Sequence, residues 1–132
     1  MKVTSSAILV RNNKILVYKR SKSKRCYAGF WDVTGGHVEK GETPEDTLKR
    51  EVKEELGVDI IDFKFLGVLK DDIDPTSKEI YDNYYFIVTK WKGEIKNLSD
   101  EEELKWIGKD EIDGFRFTEK MKELLKKVFV ND

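Results

Sequence analysis

The segment from residue 35 to residue 58, GGHVEKGETPEDTLKREVKEELGV, specifies its local structure more narrowly than any other part of the chain. Thr43 is a good N-cap residue, and Pro44 suits the first helical position because its missing N–H would have no partner there. Gly57 ends the pattern, since glycine readily takes the left-handed conformation that closes a helix. We therefore predict a helix between Thr43 and Gly57, preceded by a turn at Gly41.

This predicted helix has an apolar face beside an acidic one. The apolar face has three residues about one turn apart: Leu48, Val52 and Leu56. The neighbouring face has Glu51, Glu54 and Glu55, and only Arg50 is spaced to compensate one of them. Clustered carboxylates without Cys or His neighbours are hard ligands, which suit Mg²⁺ or Mn²⁺ better than zinc. A solvated acidic face is the alternative, so a cation site is a hypothesis at this point.

The same segment matches the Nudix box, G-x5-E-x7-R-E-U-x-E-E-x-G-U with U aliphatic, at every specified position. The matching residues are Gly36, Glu42, Arg50, Glu51, Val52, Glu54, Glu55, Gly57 and Val58. The chain therefore resembles a MutT-like Nudix hydrolase, with its Nudix box at residues 36–58. The resemblance implies a metal-dependent pyrophosphohydrolase that cleaves a nucleoside diphosphate linked to another group.

The resemblance also implies which residues carry the chemistry. The implied metal ligands are the carbonyl of Gly36 and the carboxylates of Glu51, Glu54 and Glu55. Glu51 or a neighbouring carboxylate would orient or deprotonate the attacking water, and Arg50 would orient the carboxylates. The implied cofactor is Mg²⁺ or Mn²⁺, because a divalent ion can neutralise phosphate charge and lower the pKa of bound water.

Residues outside the box are predicted to contact the substrate. Several basic residues lie between positions 19 and 25, and we favour Arg20 for binding phosphate because it is nearest to a predicted strand end. Trp31 is predicted to stack on a nucleobase, although aromatic residues in strands more often belong to the core. The resemblance also implies a further carboxylate in the acidic run at 100–103, without fixing which residue it is.

The rest of the chain alternates strand patterns with helical ones. Short β-prone runs predict strands at 7–10, 15–18, 60–69, 81–91 and 106–107. Asn12 and Asn13 suit a tight hairpin between the first two strands, and a second amphipathic helix is predicted to begin near Thr118. We therefore predict an α/β protein with the Nudix fold: an α/β/α sandwich with a mixed β-sheet, in a single domain over residues 1–132.

Charge and cysteine content limit the classes of partner and the cellular location that the sequence predicts. The 25 basic and 26 acidic residues nearly cancel, which argues against binding to nucleic acid or a membrane through bulk charge. Cys26 is the only cysteine, so an internal disulfide is excluded, and the N-terminal apolar runs are too short for a signal peptide or a membrane span. We predict a cytoplasmic protein whose partner is a small nucleotide-type substrate, with a homodimer left open.

The substrate is predicted less sharply than the reaction. We favour a nucleoside triphosphate or a damaged nucleotide, because the chain is short and has no obvious extra recognition domain. The alternatives are an ADP-ribose or nucleotide-sugar hydrolase, an isopentenyl-diphosphate-isomerase-like Nudix hydrolase and a non-catalytic nucleotide-binding Nudix module. Thr34 stands where many relatives have proline, a variant similar to isopentenyl-diphosphate-isomerase-like Nudix proteins, but Cys26 lacks the Cys-x-His-Pro setting of those isomerases.

Overall fold

The computed structural model describes residues 2–21, 27–72, 76, 78–99, 101 and 103–129. Its strands are β1 (Val3–Arg11), β2 (Lys14–Lys19), β3 (Trp31–Asp32), β4 (Thr34–His37), β5 (Asp59–Asp71), β6 (Tyr81–Lys92) and β7 (Glu103–Ile107). Its helices are α1 (Pro44–Leu56), α2 (Glu119–Lys127) and a short 3₁₀ helix (Lys109–Gly114). Cys26 and two members of the acidic run, Asp100 and Glu102, lie outside the described residues.

Strand β1 connects the two halves of the sheet. It pairs in parallel with β6 and antiparallel with β4, and its last two residues begin the hairpin to β2. β6 pairs antiparallel with β5, while β2 pairs antiparallel with both β3 and β7. The sheet is therefore mixed, as predicted, and β4 runs directly into the loop that precedes α1.

Successive side chains of β1 point into two different hydrophobic cores. Ala7 and Leu9 pack in the core that contains α1, whereas Ile8 packs in the core that contains α2. The buried helix residues are Leu48, Val52 and Leu56 in α1 and Met121, Leu124 and Leu125 in α2. Each fully buried aliphatic side chain of this size stabilises the fold by about 1.5–3 kcal/mol. One helix thus covers each face of the sheet, and the predicted α/β/α sandwich is confirmed.

Local sequence signals were accurate at the turns and helix ends. The Thr43 hydroxyl accepts a hydrogen bond from the backbone N–H of Asp46 at 3.1 Å, and the Asp46 carboxylate accepts one from the N–H of Thr43 at 3.0 Å. Gly57 has the left-handed φ of 76° that ends α1. Asn12 and Asn13, with φ of 52° and 60°, form the predicted hairpin turn between β1 and β2. Strands β3 and β4 and the 3₁₀ helix were not predicted.

Candidate active site

A glycine pair brings three parts of the chain into close contact. In the antiparallel pairing of β4 with β1, Gly36 lies opposite Ser5 and Gly35 opposite Ser6. A Cβ atom on Gly35 would lie 2.5 Å from the carbonyl oxygen of Ser5 and 2.7 Å from the Cα of Ser6. A Cβ atom on Gly36 would instead overlap the carboxylate of Glu51. The pair thus lets β4 approach β1 on one side and lets Glu51 of α1 approach the β4 backbone on the other.

Arg50 connects α1 to the loop that precedes it. Its Nε and Nη2 donate to the two carboxylate oxygens of Glu42 at 2.7 and 2.9 Å, and Nη2 also donates to the carbonyl of His37 at 3.1 Å. Nη1 donates to Glu51 Oε1 at 2.8 Å and lies 3.5 Å from Glu54 Oε2. A bidentate guanidinium–carboxylate pair has a well-defined geometry. Arg50 therefore contacts two of the carboxylates that the Nudix box implies it orients, and its effect on catalysis stays a prediction.

Glu42 stabilises the loop that precedes α1 through hydrogen bonds to the residues on either side of it. Oε1 of Glu42 accepts hydrogen bonds from the backbone N–H of Glu39 at 3.0 Å and from the Thr47 hydroxyl at 2.8 Å. The hydrogen bonds from Arg50, followed by the one from Glu39, lower the pKa of Glu42 to about 2. Glu42 thus stabilises the loop before α1, and its bidentate pair with Arg50 gives a geometric reason for the spacing between these two residues in the Nudix box.

We expect Glu42→Gln to make the melting temperature less dependent on pH under acidic conditions. The folded-state pKa of Glu42 lies below its ordinary value, so its ionised form stabilises the fold above about pH 4.5, and this contribution is lost as the pH falls toward about 2. The parent should therefore lose melting temperature more steeply than the variant over that range, and the variant should be the less stable of the two at neutral pH. Thermal melts across the pH range test this.

Glu45→Gln is the matched control, because Glu45 is exposed in the first turn of the same helix. The control should follow the slope of the parent. Equal slopes for the parent and Glu42→Gln would contradict the assignment of the Arg50–Glu42 pair as a stabilising contact.

Glu51 and Glu55 form a pair of carboxyl groups one helical turn apart. Burial, then the charge of Glu51 and a hydrogen bond to it, raise the pKa of Glu55 to about 8. Smaller contributions come from Glu101 and Asp32. The Glu51 side chain is 15% exposed, whereas that of Glu54 is 58% exposed. Two carboxyl groups are therefore held close together at the Glu51–Glu55 pair, with Glu54 at its solvent-exposed rim.

The donor chemistry of this pair fits a divalent cation. Its groups are carboxylate oxygens, the ligands that Mg²⁺ and Mn²⁺ prefer, and a cation would offset the repulsion that raises the pKa of Glu55. Glu51 also lies against Gly36, whose carbonyl the Nudix box implies as a ligand. Among the described residues, no three Asp, Glu, His or Cys side chains form a group that could enclose a metal ion. Arg50, rather than another carboxylate, is the described partner of Glu54.

A cavity of about 390 Å³ lies beside the glycine pair. Its wall includes Gly35, Gly36, Arg20, Tyr27, Trp31, Asp32, Asp72 and Asn83. Its volume is near the lower end of the range for small-molecule sites, and its combination of aromatic surface with a few polar groups is typical of them. The structure therefore brings both predicted substrate-contacting residues, Arg20 and Trp31, to one cavity next to the Nudix box, and their contacts with substrate stay predictions.

Asp32 is a half-buried acid in the cavity wall, and its charge also acts on Glu55. Its Oδ1 accepts a hydrogen bond from the backbone N–H of Val33 at 2.7 Å, and its Oδ2 lies 3.8 Å from Nη1 of Arg20. Burial raises the pKa of Asp32 to about 6, although the Val33 hydrogen bond and the Arg20 charge both oppose this shift. The ring of Trp31 packs edge-on against Phe115, with 4.9 Å between the ring centroids.

The acidic run has one described member near the carboxylate pair. The negative charge of Glu101 contributes to the raised pKa of both Glu55 and Asp32, which places it near this acidic region. Glu103 is exposed and pairs with Lys19 where β7 meets β2. Of the described residues in the run, Glu101 is therefore the candidate for the further carboxylate.

Sequence reasoning missed several polar residues of the cavity, among them Asp32, Asp72 and Asn83. Asp32 lies in a strand of two residues, which is too short to show a periodic pattern. Asp72 follows the end of β5 in a run of acidic residues that has no spacing signal. Asn83 had a weak signal, since it is a polar residue within an otherwise apolar and aromatic strand, and it is buried there. Only the sheet pairing brings these residues together.

Comparison with known proteins agrees with this geometry. The family model of the NUDIX domain matches residues 1–128. The chain belongs to the Nudix family. A MutT NUDIX hydrolase from Burkholderia pseudomallei has a similar structure, with a TM-score of 0.75 and 32% identity over 83% of this chain and 84% of that one.

Curated relatives of this Nudix protein have more than one activity. An 8-oxo-dGTP diphosphatase from Buchnera aphidicola is 35% identical over 111 residues, covering 83% of this chain and 79% of that protein. An ADP-ribose pyrophosphatase from Methanocaldococcus jannaschii is 34% identical over 116 residues, covering 87% of this chain and 66% of that protein. The chain is thus a Nudix hydrolase that acts on pyrophosphate bonds, and enzymes of this family generally need a divalent metal. Among the described residues, no helix is long and apolar enough to cross a membrane.

Proposed function

We propose that this Nudix hydrolase cleaves nucleoside triphosphates, oxidised guanine nucleotides among them, with water to a nucleoside monophosphate and pyrophosphate, with Mg²⁺ or Mn²⁺ as cofactor. The observation that carries the proposal is the cavity of about 390 Å³, which joins Arg20 and aromatic surface to the glycine pair beside Glu51. A base and sugar would occupy the cavity, so that the phosphates extend toward the carboxylates. The 8-oxo-dGTP diphosphatase relative supports this choice of substrate.

Each residue of the site has a proposed role in this reaction. Glu51, Glu54 and Glu55, with the Gly36 carbonyl, would hold the metal, which when bound supplies neutralisation of phosphate charge and a more acidic water. Arg50 keeps Glu51 in place through its 2.8 Å hydrogen bond. Glu51 or its neighbour Glu55 accepts the proton of the attacking water. Arg20 binds a phosphate oxygen, and Trp31 contributes apolar surface to the base.

ADP-ribose hydrolysis is the second candidate, and the Methanocaldococcus relative favours it. That enzyme is longer, since this chain spans only 66% of its length. ADP-ribose also carries a second sugar beyond its pyrophosphate, which would need a binding site of its own past the carboxylates. A triphosphate needs only the described cavity and the carboxylates, so we favour it as the substrate.

Turnover of a substrate panel tests the proposal. The panel contains the nucleoside triphosphates, 8-oxo-dGTP, ADP-ribose, a nucleotide sugar and a dinucleoside polyphosphate, each with Mg²⁺ and with Mn²⁺, and the phosphate products are identified. We expect the highest kcat/KM for a triphosphate and no turnover in chelator. A higher kcat/KM for ADP-ribose or the nucleotide sugar than for every triphosphate would sink the proposal.

Two expectations from the sequence stay predictions: a single domain over residues 1–132 and a cytoplasmic location. The homodimer stays an open question. Light scattering of the purified protein tests the homodimer directly.

A further inference from the structure

A hydrogen bond joins two walls of the cavity that are far apart in sequence. The Tyr27 hydroxyl donates to Oδ1 of Asp72 at 2.7 Å, across a separation of 45 residues. Tyr27 has a φ of 54°, which is uncommon for a residue other than glycine, and its carbonyl accepts a hydrogen bond from Phe30 at 3.0 Å. Its ring also packs edge-on against that of Phe30, with centroids 5.2 Å apart. These contacts hold the Tyr27 hydroxyl in a defined position, so it orients the Asp72 carboxylate.

Asn83 is buried in the same cavity, but its side chain is used for structure. Oδ1 of Asn83 accepts a 2.6 Å hydrogen bond from the Thr4 hydroxyl. Its Nδ2 lies 3.0 Å from the carbonyl of Leu69, 3.3 Å from that of Tyr81 and 3.5 Å from that of Asp71. Both donor hydrogens therefore have backbone acceptors. Asn83 fixes the last residues of β5, immediately before Asp72, instead of presenting its amide to a ligand.

The side chain of Asp71 also has partners within the protein, whereas only one carboxylate oxygen of Asp72 has a partner among the described residues. Oδ1 of Asp71 accepts the backbone N–H of Asp72 at 2.9 Å and lies 3.7 Å from Nζ of Lys120. Within the described part of the chain, Oδ2 of Asp72 has no hydrogen bond, and both residues line the cavity. An ionised carboxylate only accepts hydrogen bonds and can accept about four. Asp72 therefore has remaining capacity to accept hydrogen bonds from a ligand in this cavity.

We propose that Asp72 is a specificity-determining residue that accepts hydrogen bonds from the ring N–H and the exocyclic amine of a guanine-type base. The inference rests on the proposed function, in which the cavity binds the nucleoside part of the substrate. Guanine has two adjacent N–H donors on its pairing edge, which match the two oxygens of one carboxylate. Adenine and cytosine each have a donor next to a ring nitrogen lone pair, and that lone pair would face the negative charge. Guanine oxidised at C8 keeps the same pairing edge, so Asp72 selects both forms.

The test measures binding instead of turnover. Isothermal titration in Mg²⁺ gives the Kd of GMP, of IMP, which lacks only the exocyclic amine, and of AMP. We expect the parent to bind GMP about tenfold more tightly than IMP, because a hydrogen bond to a charged acceptor is lost. Asp72→Asn should reduce this ratio to below about threefold, since its amide replaces one acceptor by a donor. Tyr27→Phe should reduce the ratio by a smaller factor, because the carboxylate remains but loses the hydroxyl that orients it.

Asp113→Asn is the control. Asp113 is an exposed residue of the 3₁₀ helix and forms an ion pair with Lys126 of α2. The control should keep the ratio of the parent. Equal Kd values for GMP and IMP in the parent, or an unchanged ratio in Asp72→Asn, would overturn the inference. A failure of Asp72→Asn to fold leaves Tyr27→Phe as the deciding variant, and an unchanged ratio there has the same meaning. Guanine-selective binding without turnover of any triphosphate would sink only the proposed function, and binding of none of the three nucleotides would overturn both.

Discussion

Replacing Glu55 by glutamine should lower kcat in saturating Mg²⁺ by about 100- to 1,000-fold. Glu55 is partly buried and hydrogen-bonded to Glu51, and its pKa is raised to about 8 by burial and by that neighbour. Glutamine has a similar shape but removes one negative charge from the place where a divalent ion would be held. The measurement is steady-state turnover of the best triphosphate across a Mg²⁺ titration, so that weaker metal binding and slower chemistry are separated.

The stability of the same variant tests whether the charge serves function at the expense of folding. In chelator at neutral pH, Glu55→Gln should melt at the same temperature as the parent or higher. The raised pKa of Glu55 means that folding must place a proton on this carboxyl at neutral pH, which costs stability, and glutamine has no such cost. In excess Mg²⁺ the order should reverse, since the parent binds the ion more tightly and a ligand of the folded state stabilises it. A variant that melts well below the parent in chelator would show that Glu55 supports the fold.

Variants of two other glutamates show whether the effects on activity and stability are specific to Glu55. Glu54→Gln should also lose activity, because the Nudix box implies Glu54 as a ligand, but its largely exposed side chain should leave stability in chelator almost unchanged. Glu123→Gln, at an exposed position of α2, should match the parent in every assay. Equal activity of Glu55→Gln and Glu123→Gln would exclude the Glu51–Glu55 pair as the centre of the site.

Gly36→Ala is the second substitution for which we expect a large loss, about 100-fold in kcat/KM, with little loss of stability. The added methyl group would occupy the place of the Glu51 carboxylate. That carboxylate is at the end of a flexible side chain, so it can move without disturbing the backbone, but it would leave the position next to Gly36 and its hydrogen bond from Arg50. The assay is turnover as a function of substrate and Mg²⁺ concentration, beside thermal melting.

Alanine variants of two further glycines show whether the loss of activity in Gly36→Ala is due to displacement of the Glu51 carboxylate. Gly35→Ala should instead destabilise the fold, by about 1–3 kcal/mol, because its methyl group would meet the backbone of β1 and β1 cannot move aside. Gly67→Ala should be tolerated, since no atom lies within 4 Å of its added Cβ. If Gly36→Ala retained the activity of Gly67→Ala, the close approach of Glu51 to β4 would not matter for the reaction.

Helix α1 shows which features can be predicted from sequence. Its start at Thr43–Pro44 and its end at Gly57 depend on groups within a few residues of each other, so the chain encodes them locally. The same holds for the turn at Asn12 and Asn13, whose positive φ values follow from the residue type. The Nudix box could be recognised for a related reason, because Arg50, Glu51, Glu54 and Glu55 lie on neighbouring turns of that one helix.

The sequence by itself therefore determined the helix, the hairpin, the reaction class and the acidic face. The tertiary structure decided which glutamates are buried together: Glu51 and Glu55 are paired, while Glu54 remains exposed beside Arg50. It also decided what forms the substrate cavity, because Tyr27 and Asp72 are 45 residues apart and Thr4 and Asn83 are 79 apart. Such contacts leave no pattern in a single sequence, since they depend on the pairing of β1 with β6 and of β6 with β5. Strand register, and not local propensity, sets the position of the polar groups that the strands contribute to that cavity, Asn83 among them.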